Sequence, residues 1–254
     1  MSIGIKSERE LKAMRKAGRV VALVLDVLKN SMRVGMKTRE LNEIAERELK
    51  ALGGRSSFKG YPGHPGYPYP ASLCVSINDE IVHGIPGNRI IKEGDIVSLD
   101  FGAIVDGYQG DAAITVTVGE AGLLARGLVS ATEGALAAGI AAVRAGERLG
   151  DVSSAIQRYA EARGFSVIRE YTGHGIGREM HEDPLVPNFG EPGKGPELEK
   201  GMTLALEPML TTGSWRTRVG RDNWVVSTAD GSLSAHFEHT VAVTADKAEI
   251  LTRV

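Results

Sequence analysis

The 254-residue chain carries 30 Lys and Arg against 32 Asp and Glu, a formal net charge of -2, and no basic stripe, so neither nucleic-acid readout nor an anionic membrane is expected. Hydrophobic residues at 42% and charged residues at 24% are a globular balance that argues against disorder. The single cysteine, Cys74, leaves no internal disulfide framework and fits a reducing compartment, so a cytoplasmic location is expected.

The polar start MSIGIKSERE has no apolar run and predicts no signal peptide. Ser7 and Glu10 form a capping box, and Leu11, Met14, Val21, Leu25, Leu28 and Met32 follow at helical spacing. Within that helix the run VVALVLDVL contains Asp26 and is too short to span a bilayer. A second helix is predicted after Thr38, burying Leu41, Ile44, Ala45, Leu49 and Leu52 and stopping at Gly53-Gly54. The stretch YPGHPGYPYP (61–70) cannot be regular helix or central strand and reads as a loop. Strands are predicted around 72–77 and over 95–118, the latter broken at Asp106-Gly107. Helices are predicted over about 122–145 and 151–164.

The chain also resembles itself. Residues 33–53 align without gaps on 144–164, with Arg33/Arg144, Gly35/Gly146, Arg47/Arg158, Ala51/Ala162 and Gly53/Gly164 identical. KEGDIVSLD (92–100) then matches EKGMTLALE (199–207), a glycine standing six residues before a carboxylate in both. Such a period is too long for a solenoid and reads as an internal duplication, with halves of about 1–120 and 121–254 in one domain.

A two-residue turn at Asp106-Gly107 sets cross-strand partners that sum to 213. Asp111 then faces Gly102 and Ala113 faces Asp100, placing both aspartates on one side of the ribbon, about 7–8 Å apart along the diagonal. Glu207 ends the stretch TLALE before Pro208. Glu238 lies in SAHFEHTVAV, where His236, Glu238 and Thr240 would share one strand face. His174 stands among glycines in TGHGIGREMH, where backbone could approach a ligand closely, and His181 follows seven residues later. Taken singly, each aspartate reads as a solvated strand or turn residue and each histidine as a hydrogen-bonded loop residue. Taken together, four carboxylates in a nearly neutral protein call for a compensating positive charge, and two divalent ions would balance them. Oxygen-rich ligands with one imidazole favour manganese, iron or cobalt over a thiolate-type zinc site. Such a pair would activate a bridging water for hydrolysis.

HGIP (83–86), the Asp100-to-Asp111 spacing, TGHGIGREMHE (172–182), LEPM (206–209) and FEHT (237–240) together resemble the type I methionine aminopeptidases, in the family's order over nearly the whole chain. The resemblance implies an α+β pita-bread fold, in which two pseudo-twofold related halves surround a curved antiparallel sheet. It implies removal of N-terminal methionine ahead of a small second residue through a hydroxide bridging two metal ions. Those ions would be cobalt, manganese, iron, zinc or nickel. By the resemblance Asp100, Asp111, His174, Glu207 and Glu238 are the metal ligands, with Asp111 and Glu238 shared by both ions. Glu207 would also move the proton of the attacking water. His83 and His181 would contact the scissile peptide. Tyr61, Tyr69, Cys74, Met180 and Trp224 would line the methionine pocket, Met180 standing where several relatives carry Phe. The implied partners are nascent polypeptide N-termini, with transient ribosome contact and a monomeric state. X-prolyl peptidases and creatinase-like enzymes share the fold but carry a further N-terminal domain, whereas this chain is expected to start at the catalytic unit. Metal-free binding proteins of the same fold lose ligands that are intact here.

Overall fold

The computed structural model describes residues 3–63 and 66–254; the readings of Met1 and Ser2 and of His64 and Pro65 in the 61–70 loop lie outside the described residues. Two helices, α1 (Glu8–Ser31) and α2 (Thr38–Ala51), lead into β1 (Arg55–Ser56), β2 (Cys74–Ile77), β3 (Glu80–Val82) and the hairpin β4 (Ile96–Val105) and β5 (Tyr108–Thr117). A second helix pair, α3 (Leu123–Ala142) and α4 (Leu149–Glu161), is followed by β6 (Ser166–Val167), β7 (Thr172–Gly175) and β8 (Glu182–Pro187). Then come β9 (Thr203–Leu206), β10 (Met209–Thr211), β11 (Thr217–Val219), β12 (Val226–Thr228), β13 (Ser234–His236), β14 (Glu238–Val243) and β15 (Ala248–Ile250).

The capping box forms as expected. The Ser7 hydroxyl accepts from the Glu10 amide, and the Glu10 carboxylate accepts from the Ser7 amide at 2.9 Å. Helix α2 buries Leu41, Ala45 and Leu49, but Leu52 caps the helix and is exposed, because the chain turns at Gly53 before that side chain can fold inward. Helix α3 is apolar and long enough to cross a membrane by length and composition. Its buried positions, among them Leu128, Thr132 and Leu136, pack into the core with α4 and the sheet.

The main sheet has nine strands in the order β1-β4-β5-β14-β9-β7-β8, with β2 on β4 and β15 on β14, and all these pairs are antiparallel. Together with four helices it is the α+β pita-bread architecture. Strand alternation divides each residue run between two faces. Leu99 and Phe101 join Val21, Leu25 and Leu41 in one core, while Leu204, Leu206 and Val241 join Leu128, Val152 and Ile156 in another. Asp100, between Leu99 and Phe101, therefore points to the sheet's other face.

Equivalent positions of the aligned segments adopt equivalent backbone. Gly35 and Gly146, Gly53 and Gly164, and Gly94 and Gly201 all have positive φ, between 72° and 94°. Isolated bridges join Lys37 to Ile90 and Arg148 to Glu197, one beside each helix start. The β5–β14 pairing, Ala113 opposite Glu238, stitches the first half of the sheet to the second.

Candidate metal centre

The hairpin register is the one that the Asp106-Gly107 turn predicts: Asp100 pairs with Ala113 and Gly102 with Asp111. Neighbouring strands extend those pairs into two rows on one face. In the first, Cys74 faces Asp100, Asp100 faces Ala113, and Ala113 faces Glu238; the β14–β9 register, carried one residue past His239–Leu206, sets Glu207 beside Glu238. In the second row Gly102 faces Asp111, while Thr240 faces Ala205 and Ala205 faces His174. The Thr240 hydroxyl closes this row by accepting from the Asp111 amide at 3.0 Å and donating to the Asp111 carbonyl at 2.8 Å. Ala113, Gly102 and Ala205 thus alternate with the charged side chains, and their small size leaves the carboxylates room.

All five proposed ligand side chains converge. Ligand atoms of Asp111, His174 and Glu238 lie within 4.8 Å of one another. Glu207 Oε1 is 3.6 Å from His174 Nε2, and the Asp100 and Asp111 carboxyls are close enough to shift each other's titration. Burial dominates the electrostatics. It pushes the Asp100 carboxyl up to about 7. Asp111 is raised by burial and then by Glu238 and Asp100, Glu207 by burial and then by Asp111, and Glu238 by burial and then by Glu207. Asp100 Oδ1, Asp111 Oδ1 and Glu238 Oε1 are buried with no hydrogen-bond partner among the described residues. Buried carboxylates that raise one another and leave oxygens unpaired are costly unless a cation meets them. The donor set therefore fits divalent metal.

His174 fits the same role. Its Nδ1 is 2.8 Å from the Gly175 carbonyl; a carbonyl can only accept, so Nδ1 carries the proton and Nε2 keeps its lone pair free. Burial, followed by the nearby His181, lowers the ring to about 3 and keeps it neutral. The flanking glycines have a different purpose from close approach to a ligand. A Cβ on Gly173 would lie 2.3 Å from the Ala205 carbonyl oxygen, and one on Gly175 would lie 2.1 Å from that of Asp183. They let the backbones of β9 and β8 press against β7. A second departure lies in SAHFEHTVAV, which is two strands in different sheets, broken at Phe237. His236 is buried below the site with its Nε2 3.9 Å from Glu238 Oε2.

The ligand cluster lines a cleft of about 620 Å3 together with His83, His181, Tyr61, Tyr69, Cys74, Met180 and Trp224. Phe58 completes the lining and was not singled out from sequence; its only local signal is an aromatic residue three positions before Tyr61. One end of the cleft is an apolar recess in which Tyr69 meets Trp224 edge-on at 5.0 Å and Phe58 at 6.4 Å between ring centroids. The Tyr69 hydroxyl donates to the carbonyls of Gly84 (2.9 Å) and Leu73 (3.2 Å). Trp224 is fixed by its indole N–H on the Tyr67 carbonyl at 2.9 Å. Burial keeps the Cys74 thiol protonated, with Asp100 reinforcing the shift.

The two further histidines stand at different places. His83 has a left-handed backbone (φ 61°) that turns its ring toward Trp224, 6.0 Å away. Burial and then His181 lower it to about 4. The His181 ring centroid lies 4.3 Å from that of His174, the two planes inclined at 59°, and its Nδ1 lies 2.6 Å from the Tyr61 hydroxyl. Its pKa is also lowered by burial. Both imidazoles are therefore neutral near pH 7 and present N–H groups rather than full charges.

Comparison with known proteins bears on this geometry. Residues 12–245 match the model of metallopeptidase family M24. The chain is 50% identical over 249 residues to methionine aminopeptidase 1 of Bacillus subtilis, covering 98% of each. It superimposes on the crystal structure of the methionine aminopeptidase of Thermotoga maritima with a TM-score of 0.96, at 46% identity and full coverage of both chains. The prolidase of Pyrococcus furiosus shares the fold at a TM-score of 0.79 and 20% identity; 98% of this chain covers 65% of that one.

Proposed function

The chain belongs to metallopeptidase family M24, and we propose on that footing that it removes the N-terminal methionine from polypeptides whose second residue is small. It is a metal-dependent aminopeptidase. The observation that carries the reading is the meeting, in one cleft, of a buried carboxylate–imidazole cluster with a closed aromatic recess. The recess suits a thioether, since sulfur–ring contacts are favourable, and it ends at the buried Tyr69 and Cys74.

Asp100, Asp111, His174, Glu207 and Glu238 would hold two divalent ions, which when bound supply Lewis acidity and charge at the scissile carbonyl. The chain's own residues do the rest. Phe58, Tyr61, Tyr69, Cys74, Met180 and Trp224 bind the methionine side chain and keep water from it. His83 and His181, neutral and N–H bearing, donate to the peptide being cut. Tyr61 fixes the His181 ring through Nδ1, which leaves Nε2 for the substrate. Glu207, raised by burial and by Asp111, accepts and returns a proton at its cleft-facing oxygen.

We read residues 1–254 as one catalytic domain of two duplicated halves, about 1–120 and 121–254, a reading supported by the paired positive-φ glycines. A monomer working in the cytoplasm on emerging polypeptides, in passing contact with the ribosome, fits such a substrate. The deciding assay offers Mn²⁺-loaded protein Met-Ala-Ser and an Xaa-Pro tripeptide side by side. Free methionine should appear at least about 100-fold faster than proline-adjacent cleavage, the discrimination expected of a fitted side-chain pocket. Faster turnover of the Xaa-Pro peptide would establish the prolyl reading instead.

A further inference from the structure

We propose that the groove between Tyr171 and Leu185 receives the substrate polypeptide beyond its second residue and favours basic over acidic side chains there. The inference rests on the aminopeptidase reading above. An exopeptidase buries the amino end of its substrate and must let the remainder leave. The recess is closed at Tyr69 and Cys74, 3% and 4% exposed, so the departing chain runs the other way, past His181.

A second, open groove of about 1340 Å3 begins there. His174 and His181 line both the cleft and this groove, so the two adjoin at these rings. Tyr171, on the groove's wall, stands edge-on to His83 at 6.2 Å between ring centroids, which ties the wall to the other substrate-facing histidine. Leu185 is 66% exposed, with its backbone paired to His174. An exposed leucine and a half-buried tyrosine on one wall offer apolar contact to a chain of any sequence.

The charge in the groove is one-sided where it is unbalanced. Glu182 is met by Lys6 at 2.5 Å. Glu170 is instead anchored by neutral donors, the amide of Thr217 at 2.9 Å and the Thr217 hydroxyl, so its position is fixed by groups that carry no compensating charge. Glu179 sits close enough to the cleft mouth to act on the Tyr61 phenol. A lysine or arginine three or four residues into the substrate would meet these carboxylates, and a glutamate would be repelled.

Three peptides test this on the Mn²⁺-loaded enzyme: Met-Ala-Ser, Met-Ala-Ser-Lys-Lys-Gly and Met-Ala-Ser-Glu-Glu-Gly. The tripeptide carries no charged side chain and gives the reference rate. At low salt the lysine peptide should exceed the glutamate peptide in kcat/KM by about five- to tenfold, the scale of a few partly solvated charge contacts. That ratio should collapse toward one in a Glu170→Gln/Glu179→Gln double variant, and in wild type at about 0.5 M salt, where such contacts are screened. Equal kcat/KM for the two hexapeptides in wild type, or a ratio that the double variant leaves unchanged, would overturn the groove assignment while the tripeptide result stands. Failure to release methionine from all three would instead overturn the aminopeptidase reading, and this inference with it.

Discussion

The two carboxylate pairs reach the cleft by different routes. Asp100 and Asp111 are carried by one hairpin whose ten consecutive cross-strand pairs fix their register. Glu207 lies just past the end of β9 and Glu238 opens β14, with residues 208–237 and four short strands between them. The first pair is set by a local turn. The second exists only once β14 has docked between β5 and β9, so the complete site reports assembly of both halves.

Replacing a ligand on either route gives the largest effect. Asp111→Asn and Glu238→Gln should each lower methionine release more than about 100-fold, beyond the loss usual for a residue that only supports a metal ligand. Without metal, however, Asp111→Asn should melt at or above the wild-type temperature at pH 8, because it removes one of several mutually repelling buried charges. A large stability loss in that calorimetric experiment would mean that Asp111 is a structural residue.

Backbone substitutions sharpen the contrast. Gly175→Ala drives a Cβ into the backbone carbonyl of Asp183, which cannot swing aside as a side chain can, and should cost about 3 kcal/mol by denaturant titration. Gly102→Ala meets the ring of Phe58 and the Ser57 side chain at 2.9 Å. A ring can shift, so the cost should be nearer 1 kcal/mol, with a raised KM for methionyl peptides as the recess narrows. Equal losses would contradict the distinction between a backbone obstacle at Gly175 and a movable side chain at Gly102.

The metal-free protein should also show its charge problem in its pH dependence. Asp100 rises from 3.8 in the unfolded reference to about 7 when buried, so the folded state binds its proton more tightly. That contribution to stability is fully present below the unfolded value and is lost as pH rises through about 7. The metal-free melting temperature should therefore fall between pH 5 and pH 8, and added Mn²⁺ should raise it more at pH 8. A flat profile would show that these carboxylates are not strained. A loss of similar size to that of Gly102→Ala, about 1 kcal/mol by denaturant titration, is expected for Tyr69→Phe, which removes the hydroxyl's bonds to Gly84 and Leu73.

The same contrast explains what could be read from sequence. Asp106-Gly107 fixes the turn, the turn fixes the register, and the register puts Asp100 and Asp111 on one face; every step is local. The Ser7–Glu10 box and the helix faces at Leu11, Leu25 and Leu41 are legible for the same reason. The neighbourhood of Glu207 and Glu238 depends on which distant strands meet, and only the repeat and the family resemblance pointed to it. The break at Phe237 was hidden because alternation continues across it while the chain changes sheets. Gly173 and Gly175 were legible as a close approach but not as to what approaches, since β8 and β9 are far away in sequence. Leu52 keeps helical spacing yet lies beyond the turn that ends its helix.

Whether the five side chains act as one centre is open to a direct count. Metal-free protein titrated with Mn²⁺ in a calorimeter should bind two ions per chain, and Asp111→Asn, lacking the carboxylate proposed to be shared, at most one. One ion in the wild type, or two in the variant, would contradict the account.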